Sequence, residues 1–281
     1  MSFQNLATCS MLVEVEISTW TARKLDKTTT EEVCDNKRAG SKDAARVNKS
    51  LLAGRSELKA IESLAGEVRT YLYLKTMPWS KGLQLLPTKM FMEFDAKMRE
   101  FEQKFHDMVA DFIALYPTLI TAQAMALGDL FDRNEYPLPE SLPAKFSFSV
   151  GYMPVPDAGD WRIDQEIENQ QALREQLEKK SEERVKAALT SVWEKLGDHV
   201  KRMSTQLRED GKIYETLLST AWDLVDNIKA LNLVGDPTLE EARKDLEAAI
   251  KGVTTKDLKT PQIKKDVKIE VDKLLSKFSF N

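Results

Sequence analysis

Histidine is nearly missing from this 281-residue chain: only His106 and His199 are present, each in a helical pattern and neither with a second histidine or cysteine at metal-ligand spacing. A zinc site would have to be built from carboxylates, and a catalytic triad would lack its usual base. Each histidine reads instead as a partly exposed helix residue. Cysteine is as scarce. Cys9 and Cys34 stand apart, outside any disulfide or nucleophile pattern, so they read as reduced thiols in a reducing compartment. The glycines stand singly, which excludes a Walker phosphate loop and a dinucleotide fingerprint. No uninterrupted apolar run approaches the 18 or so residues of a membrane span, and the first residues carry neither a basic n-region nor an apolar h-region. The expectation is a soluble, cytoplasmic protein without a membrane partner, a cofactor, a metal or a catalytic residue. It is not expected to be an enzyme.

Charge of one sign is lacking too. The formal net charge is -4, with 31% charged and 42% hydrophobic residues, ordinary for a helix-rich soluble chain and unlike a protein whose whole surface holds nucleic acid. What is present is helical periodicity. From Asp160 to Asp210 apolar residues recur at a period near 3.6 without a proline, through Leu177, Val185, Ala188, Val192, Leu196, Val200, Met203 and Leu207. A helix of that span is roughly 70 Å long and has to pack along other helices or a second copy of itself. Asp157, Asp160 and Asp164 stand at its start, either to hold a divalent cation or, with Asp160 as cap, to complement the helix dipole.

Along the chain, Met11 to Thr21 alternates apolar and charged residues with a period of two and reads as a strand. A helix is expected over 42–75, an ordered loop over Met77 to Pro87, a helix over 89–116, and a second one from Pro117 to Arg133 after a sharp corner. Residues 145–153 alternate again around Phe146, Phe148 and Val150 and supply the partner of the first strand. After Gly211 a returning helix is read from Tyr214 to Leu231, then a short helix capped by Asp236 with Pro237 in its first turn, and a lysine-rich helical tail. The fold class is mainly α: an elongated antiparallel helical bundle with one long coiled-coil-like helix hairpin and a small two-stranded, or intermolecularly extended, β element. Four segments are expected: 1–134, strand plus helical bundle; 135–160, proline-rich crossover with the second strand; 161–235, long helical hairpin; 236–281, short helices and basic tail.

Both ends are locally positive. Between Arg23 and Lys59 ten basic residues face six acids, and between Lys251 and Lys277 eight lysines face four. Arg23, Lys24, Lys27, Arg38, Lys42, Lys264, Lys265 and Lys268 are therefore the candidate contacts to nucleic-acid phosphates, with Trp20 or Tyr71 to stack on bases. The bland alternative is a set of solvated helix faces. Leu177, Val185, Val192 and Leu196 are the candidate residues for self-association into a homo-oligomer.

The segments STWTARKLDK (from Ser18), KTMPWSKGLQLLP (from Lys75), ALYPTL (from Ala114), NEYPLP (from Asn134) and YMPVPDAGDWRI (from Tyr152) together resemble a family of uncharacterised phage and mobile-element proteins of about this length. The motifs that carry the likeness are turns, without a reaction signature. Members of that family tend to be encoded near a MoxR-type AAA+ ATPase, a von Willebrand A-domain protein and recombination functions. The resemblance implies a non-enzymatic helical scaffold or adaptor with such an ATPase as partner. A single-stranded nucleic-acid-binding accessory in recombination or replication is the alternative.

Overall fold

The computed structural model of the chain describes residues 6, 8–41, 43–156 and 167–278, without the side chains of 167–174, 177, 178 and 181. The acidic trio at the start of the long helix, Lys42, the side chain of Leu177 and the last three residues of the tail lie outside the described residues. The chain is 66% helical, mainly α as expected. It divides into two compact units built from separate stretches. The first comprises Met1–Glu14, Thr70–Asp95 and Gly151–Asn281, and the second Val15–Arg69 and Ala96–Val150.

Strand β1 (Ser10–Ser18) forms where the period-two alternation predicts it, with Leu12 and Val13 fully buried. The expected loop after residue 76 is instead a hairpin of β4 (Met77–Ser80) and β5 (Leu83–Pro87), turned by Gly82 at φ +85°. Its prolines suit the positions they occupy. Pro78 lies on the edge strand, where its missing N–H leaves no ladder bond unmade, and Pro87 closes β5. Met77 and Trp79 point inward while Pro78 and Ser80 face water. The four-stranded sheet has the order β4-β5-β1-β6, with β6 at Ser147–Pro154, so the second strand does lie beside the first. Ser10 stands opposite Pro87 and Leu12 opposite Leu85 in the antiparallel β1–β5 ladder. The β element is thus larger than the two strands expected, because two prolines and a glycine, which in sequence signal a loop, fit the edge strand and turn of a hairpin.

In the second unit a separate two-stranded ribbon joins β2 (Arg23–Leu25) and β3 (Asn48–Ser50), with Lys24 opposite Lys49. Between them runs α1 (Lys27–Asn36), capped by Asp26, whose carboxylate accepts the N–H of Thr29. Helix α2 (Ser56–Lys75) starts fourteen residues later than the periodicity from Lys42 predicts. Gly54 takes φ +77°, which no helix can carry, and β3 uses the residues ahead of it. The buried stripe Leu58, Ile61, Leu64, Ala65 and Val68 is as expected. Helix α3 (Phe91–Leu127) does not turn at Pro117. The proline ring lies on the exposed side, where the backbone group left unpaired by its missing N–H can be hydrated. Below it, Phe105, Phe112 and Tyr116 pack with Trp20, Phe146 and Phe148 at ring separations of 5.6–6.5 Å. The Tyr116 hydroxyl donates to the Pro137 carbonyl at 3.1 Å, and burial pushes its pKa up to about 12.

The rest of the first unit is helical: α4 (Ile167–Gln206), α5 (Thr216–Leu231), α6 (Pro237–Ile250) and α7 (Pro261–Lys277). The stripe of α4 is buried from Ala188 to Leu207 as predicted. Its main neighbours are β4 and α7, with the returning helix α5 a lesser one. The coiled-coil-like hairpin is therefore not the principal pairing of α4. The Arg184 guanidinium lies 5.2 Å from the Trp79 ring centroid, and Trp193 meets Phe278 edge-on at 5.7 Å. Asp236 caps α6 as expected, accepting from Thr238 N at 2.9 Å, with Pro237 in the first turn.

Candidate functional site

The polar side chains that α4 inserts beside its apolar stripe make the best-formed site of the first unit. Lys195, His199 and Gln206 follow one another every four to seven residues, so the 3.6-residue period aligns them along one face. Tyr73, near the end of α2, Tyr214, just ahead of α5, and Leu217, in its first turn, complete a cleft of about 650 Å³. Lys195 is 3% exposed, and its ammonium donates to the Thr76 carbonyl and lies 4.7 Å from the centroid of the Tyr73 ring. Burial pushes its pKa down to about 8. His199 is 9% exposed, a correction to the partly exposed helix residue expected, whereas His106 is exposed. Burial, with a smaller push from Arg202, takes the imidazole down to about 4, so it is neutral at pH 7. Its Nε2 and the Gln206 Oε1 are enclosed and have no hydrogen-bond partner among the described residues. Burial, then the carboxylates of Asp198 and Glu194, raises the pKa of Tyr73. The cleft offers a ligand hydrogen-bonding groups and aromatic surface over an apolar floor.

The basic residues singled out from the sequence fall into two sets. Arg23 and Lys24 are exposed on β2, Lys27 opens α1, and Arg38 follows α1 at φ +52°, all in the second unit. Lys264, Lys265 and Lys268 belong to α7 in the first unit. There they line a groove of about 1150 Å³ together with Arg208 and Lys259. Lys264 donates to the Gly211 carbonyl at 3.0 Å and Lys268 pairs with Asp272, while Lys265 is exposed. The aromatic residues expected to stack on bases are occupied: Trp20 packs on Phe112 and Tyr116, and Tyr71 stacks on Phe94 at 5.7 Å.

Of the residues singled out for self-association, Val192 and Leu196 are 0% exposed within the chain's own core and Val185 is half-buried. No second copy can reach Val192 or Leu196 without opening that core. A different helix has an open face. Residues 88–130 form a helical stretch that is long and apolar enough to cross a membrane by length and composition, and 33% of its most apolar window is buried. Phe112, Tyr116, Leu119, Ile120 and Gln123 of α3 point inward; Leu115 and Met125 face outward, Met125 at 92% exposure. Among the described residues no cluster of three or more histidine, cysteine or acidic side chains is arranged to hold a metal ion.

Sequence reasoning missed Lys195 and Gln206, and read His199 as a partly exposed helix residue. The signal was present: three polar residues flank the fully apolar run Val192, Leu196, Val200, Met203 at the same period, a placement that buries Lys195 and His199 and half-buries Gln206. Comparison with protein-family models, with curated protein sequences and with solved structures returns no match.

Proposed function

We propose that the chain is a non-enzymatic helical scaffold whose copies associate through the outer face of α3. The observation that carries this reading is the absence of charge on an exposed helix surface. From Phe112 to Gly128 there is no Asp, Glu, Lys or Arg, and Leu115, Thr118, Ala122 and Met125 recur every three or four residues, the period of a coiled-coil seam. A face of this kind meets its own copy about a two-fold axis without opposing like charges or burying an unpaired one. Small Ala122 and Thr118 allow close approach, and methionine adapts to the facing surface. The scaffold would present a protein partner, for which the phage-family resemblance implies a MoxR-type AAA+ ATPase.

Light scattering tests it. At about 100 µM, where an interface of micromolar Kd is filled, the expected mass is a multiple of the 32.0 kDa chain. Leu115→Lys with Met125→Lys should return it to one chain while leaving stability within about 0.5 kcal/mol, since both side chains are exposed. A single-chain mass for the unmodified protein, or binding of this face to neutral liposomes without a change of mass in solution, overturns the reading.

A second reading, single-stranded nucleic-acid binding, is favoured by the groove that gathers Lys264, Lys265 and Lys268 with Arg208 and Lys259. If phosphates lie in it, Lys265→Glu with Lys259→Glu should weaken oligonucleotide binding and flatten the slope of log K against log salt by about 1.4, roughly 0.7 per lost phosphate contact. An unchanged slope rejects the groove as the site.

A further inference from the structure

The groove between α7 and the residues that follow α4 joins a cationic rim to an aliphatic floor. Arg208, Lys259 and Lys265 are exposed, and among the described residues none of the three reaches a carboxylate at ion-pair distance. Lys264 and Lys268 are engaged, the first by the Gly211 carbonyl and the second by Asp272. Glu209 is the one other acid of the lining, so five cations face two carboxylates. The chain as a whole carries a net charge of -4, so an acidic partner is repelled by the molecule at large and drawn to this patch. Between the cations Ile213 is half-buried, and Pro261 and Ile269 are exposed, Ile269 at 44%. On α7, Pro261, Lys265, Lys268 and Asp272 recur at the helical period and share the face that borders the groove.

Size and surface decide what fits. The volume of about 1150 Å³ exceeds the roughly 300–1,000 Å³ usual for small-molecule sites, so the occupant is a segment of a chain. Among the described residues no aromatic side chain lines the groove, and base stacking is a main source of single-strand affinity. Isoleucine and proline surface suits aliphatic side chains instead, and the free cations suit carboxylates. The α7 face from Pro261 to Asp272 is about 16 Å long, three turns of a docked helix. We propose that this groove docks an acidic amphipathic helix of a partner protein, its aliphatic residues on Ile213, Pro261 and Ile269 and its carboxylates against Arg208, Lys259 and Lys265. This gives the partner of the scaffold reading a surface and a chemistry, and rests on that reading only in requiring a protein partner. The groove lies wholly in the first unit and the uncharged α3 face, Phe112 to Gly128, in the second, so each can be altered without touching the other.

Fluorescence anisotropy with the full chain tests it, using a labelled peptide of about twelve residues with leucine at every third or fourth position and glutamate between. At about 50 mM salt this peptide should saturate with a Kd below about 100 µM, and a version with lysine for glutamate should bind at least about tenfold more weakly. Lys259→Glu with Lys265→Glu should weaken the acidic peptide about tenfold and reduce its salt dependence. Ile269→Asn should weaken it about threefold, a loss that capture by charge alone does not produce. These side chains are exposed, so circular dichroism should report an unchanged fold in both variants. Failure of the acidic peptide to saturate by about 1 mM overturns the proposal, as does unchanged affinity in either variant. Tighter binding of an oligothymidylate of equal charge also overturns it and gives the groove to nucleic acid. Leu115→Lys with Met125→Lys should leave the peptide Kd unchanged, so a failure of self-association through α3 and a failure of this groove are read separately.

Discussion

Replacing Lys49 by methionine should lower the unfolding free energy by about 3 kcal/mol, one of the two largest single-residue effects expected in this protein. The Lys49 side chain is 9% exposed, and its ammonium reaches Glu135 Oε2 at 2.7 Å, Asp26 Oδ2 at 3.3 Å and the Leu130 carbonyl at 2.9 Å. One hydrogen bond, to the Leu130 carbonyl, and two ion pairs thus hold the ammonium. Methionine keeps the length of the stem but leaves two half-enclosed carboxylates facing each other without a cation. Asp26 also caps α1 and its N–H donates to the Val47 carbonyl, so the ribbon, the helix and the turn around Glu135 loosen together. Urea unfolding followed by circular dichroism measures the loss. A triple variant, Lys49→Met with Asp26→Asn and Glu135→Gln, should recover part of it by removing the unpaired charges, and a loss under 1 kcal/mol in the single variant contradicts the ion-pair account.

The same cluster sets a pH dependence. The N–H of Thr29 and, beyond it, Lys49 hold the Asp26 carboxyl below its ordinary 3.8, against the opposing effect of burial. A lowered carboxyl contributes stability that is present above its unfolded pKa and is lost as pH falls through the folded value, hence below about pH 4. Burial alone would lower the Lys49 ammonium, but the bonds to Glu135 and Asp26 outweigh it and raise the pKa above 10.5. That contribution is present below pH 10.5 and disappears as pH rises past the folded value. The gap in melting temperature between parent and Lys49→Met should therefore be widest at neutral pH and narrow at both extremes.

Elements whose side-chain period agreed with their final burial were legible in the chain. The second half of β1 is an example, since Val15 and Ile17 are half-buried while Glu16 and Ser18 face water; in its first half Leu12 and Val13 are buried on both faces, which alternation does not predict. The cap at Asp236 is another, because a carboxylate ahead of Pro237 satisfies the first N–H groups by purely local bonds. Proline misled in both directions. Pro78 and Pro87 read in sequence as loop residues, yet an edge position needs no N–H there, and Pro117 reads as the first turn of a second helix although one helix passes through it. Whether a proline breaks an element depends on which side faces solvent, and that is decided by packing with residues far away in the chain. Periodicity likewise could not show that the stripe of α4 would be covered chiefly by β4 and α7, nor that His199 would be drawn under Tyr73 and α5, since those partners are distant in sequence. The basic clusters were visible as composition, but only the fold separates Arg23, Lys24 and Lys27 from the three lysines of α7.

Leu196→Asp should unfold the first unit instead of dissociating an oligomer. Leu196, Val192, Val200 and Met203 are all 0% exposed on the side of α4 covered by β4 and α7. Truncation to alanine there costs about 2–5 kcal/mol through lost burial and the cavity left behind. A carboxylate adds the cost of a desolvated charge on the apolar stripe, which takes the total past the 5 kcal/mol or so that a small domain has to lose. Circular dichroism should report loss of helix at 25 °C. The loss should be smaller near pH 4 than at pH 7, because burial raises the pKa of the introduced aspartate and the neutral acid is cheaper to enclose. The contrast with Met125→Lys separates a core from an interface. At the exposed position the mass should change while the helix signal stays, and at Leu196 the helix signal itself should fall. A Leu196→Asp chain that keeps its full helix content and merely halves in mass would show that this stripe is an intermolecular seam after all, and would return self-association to the long helix.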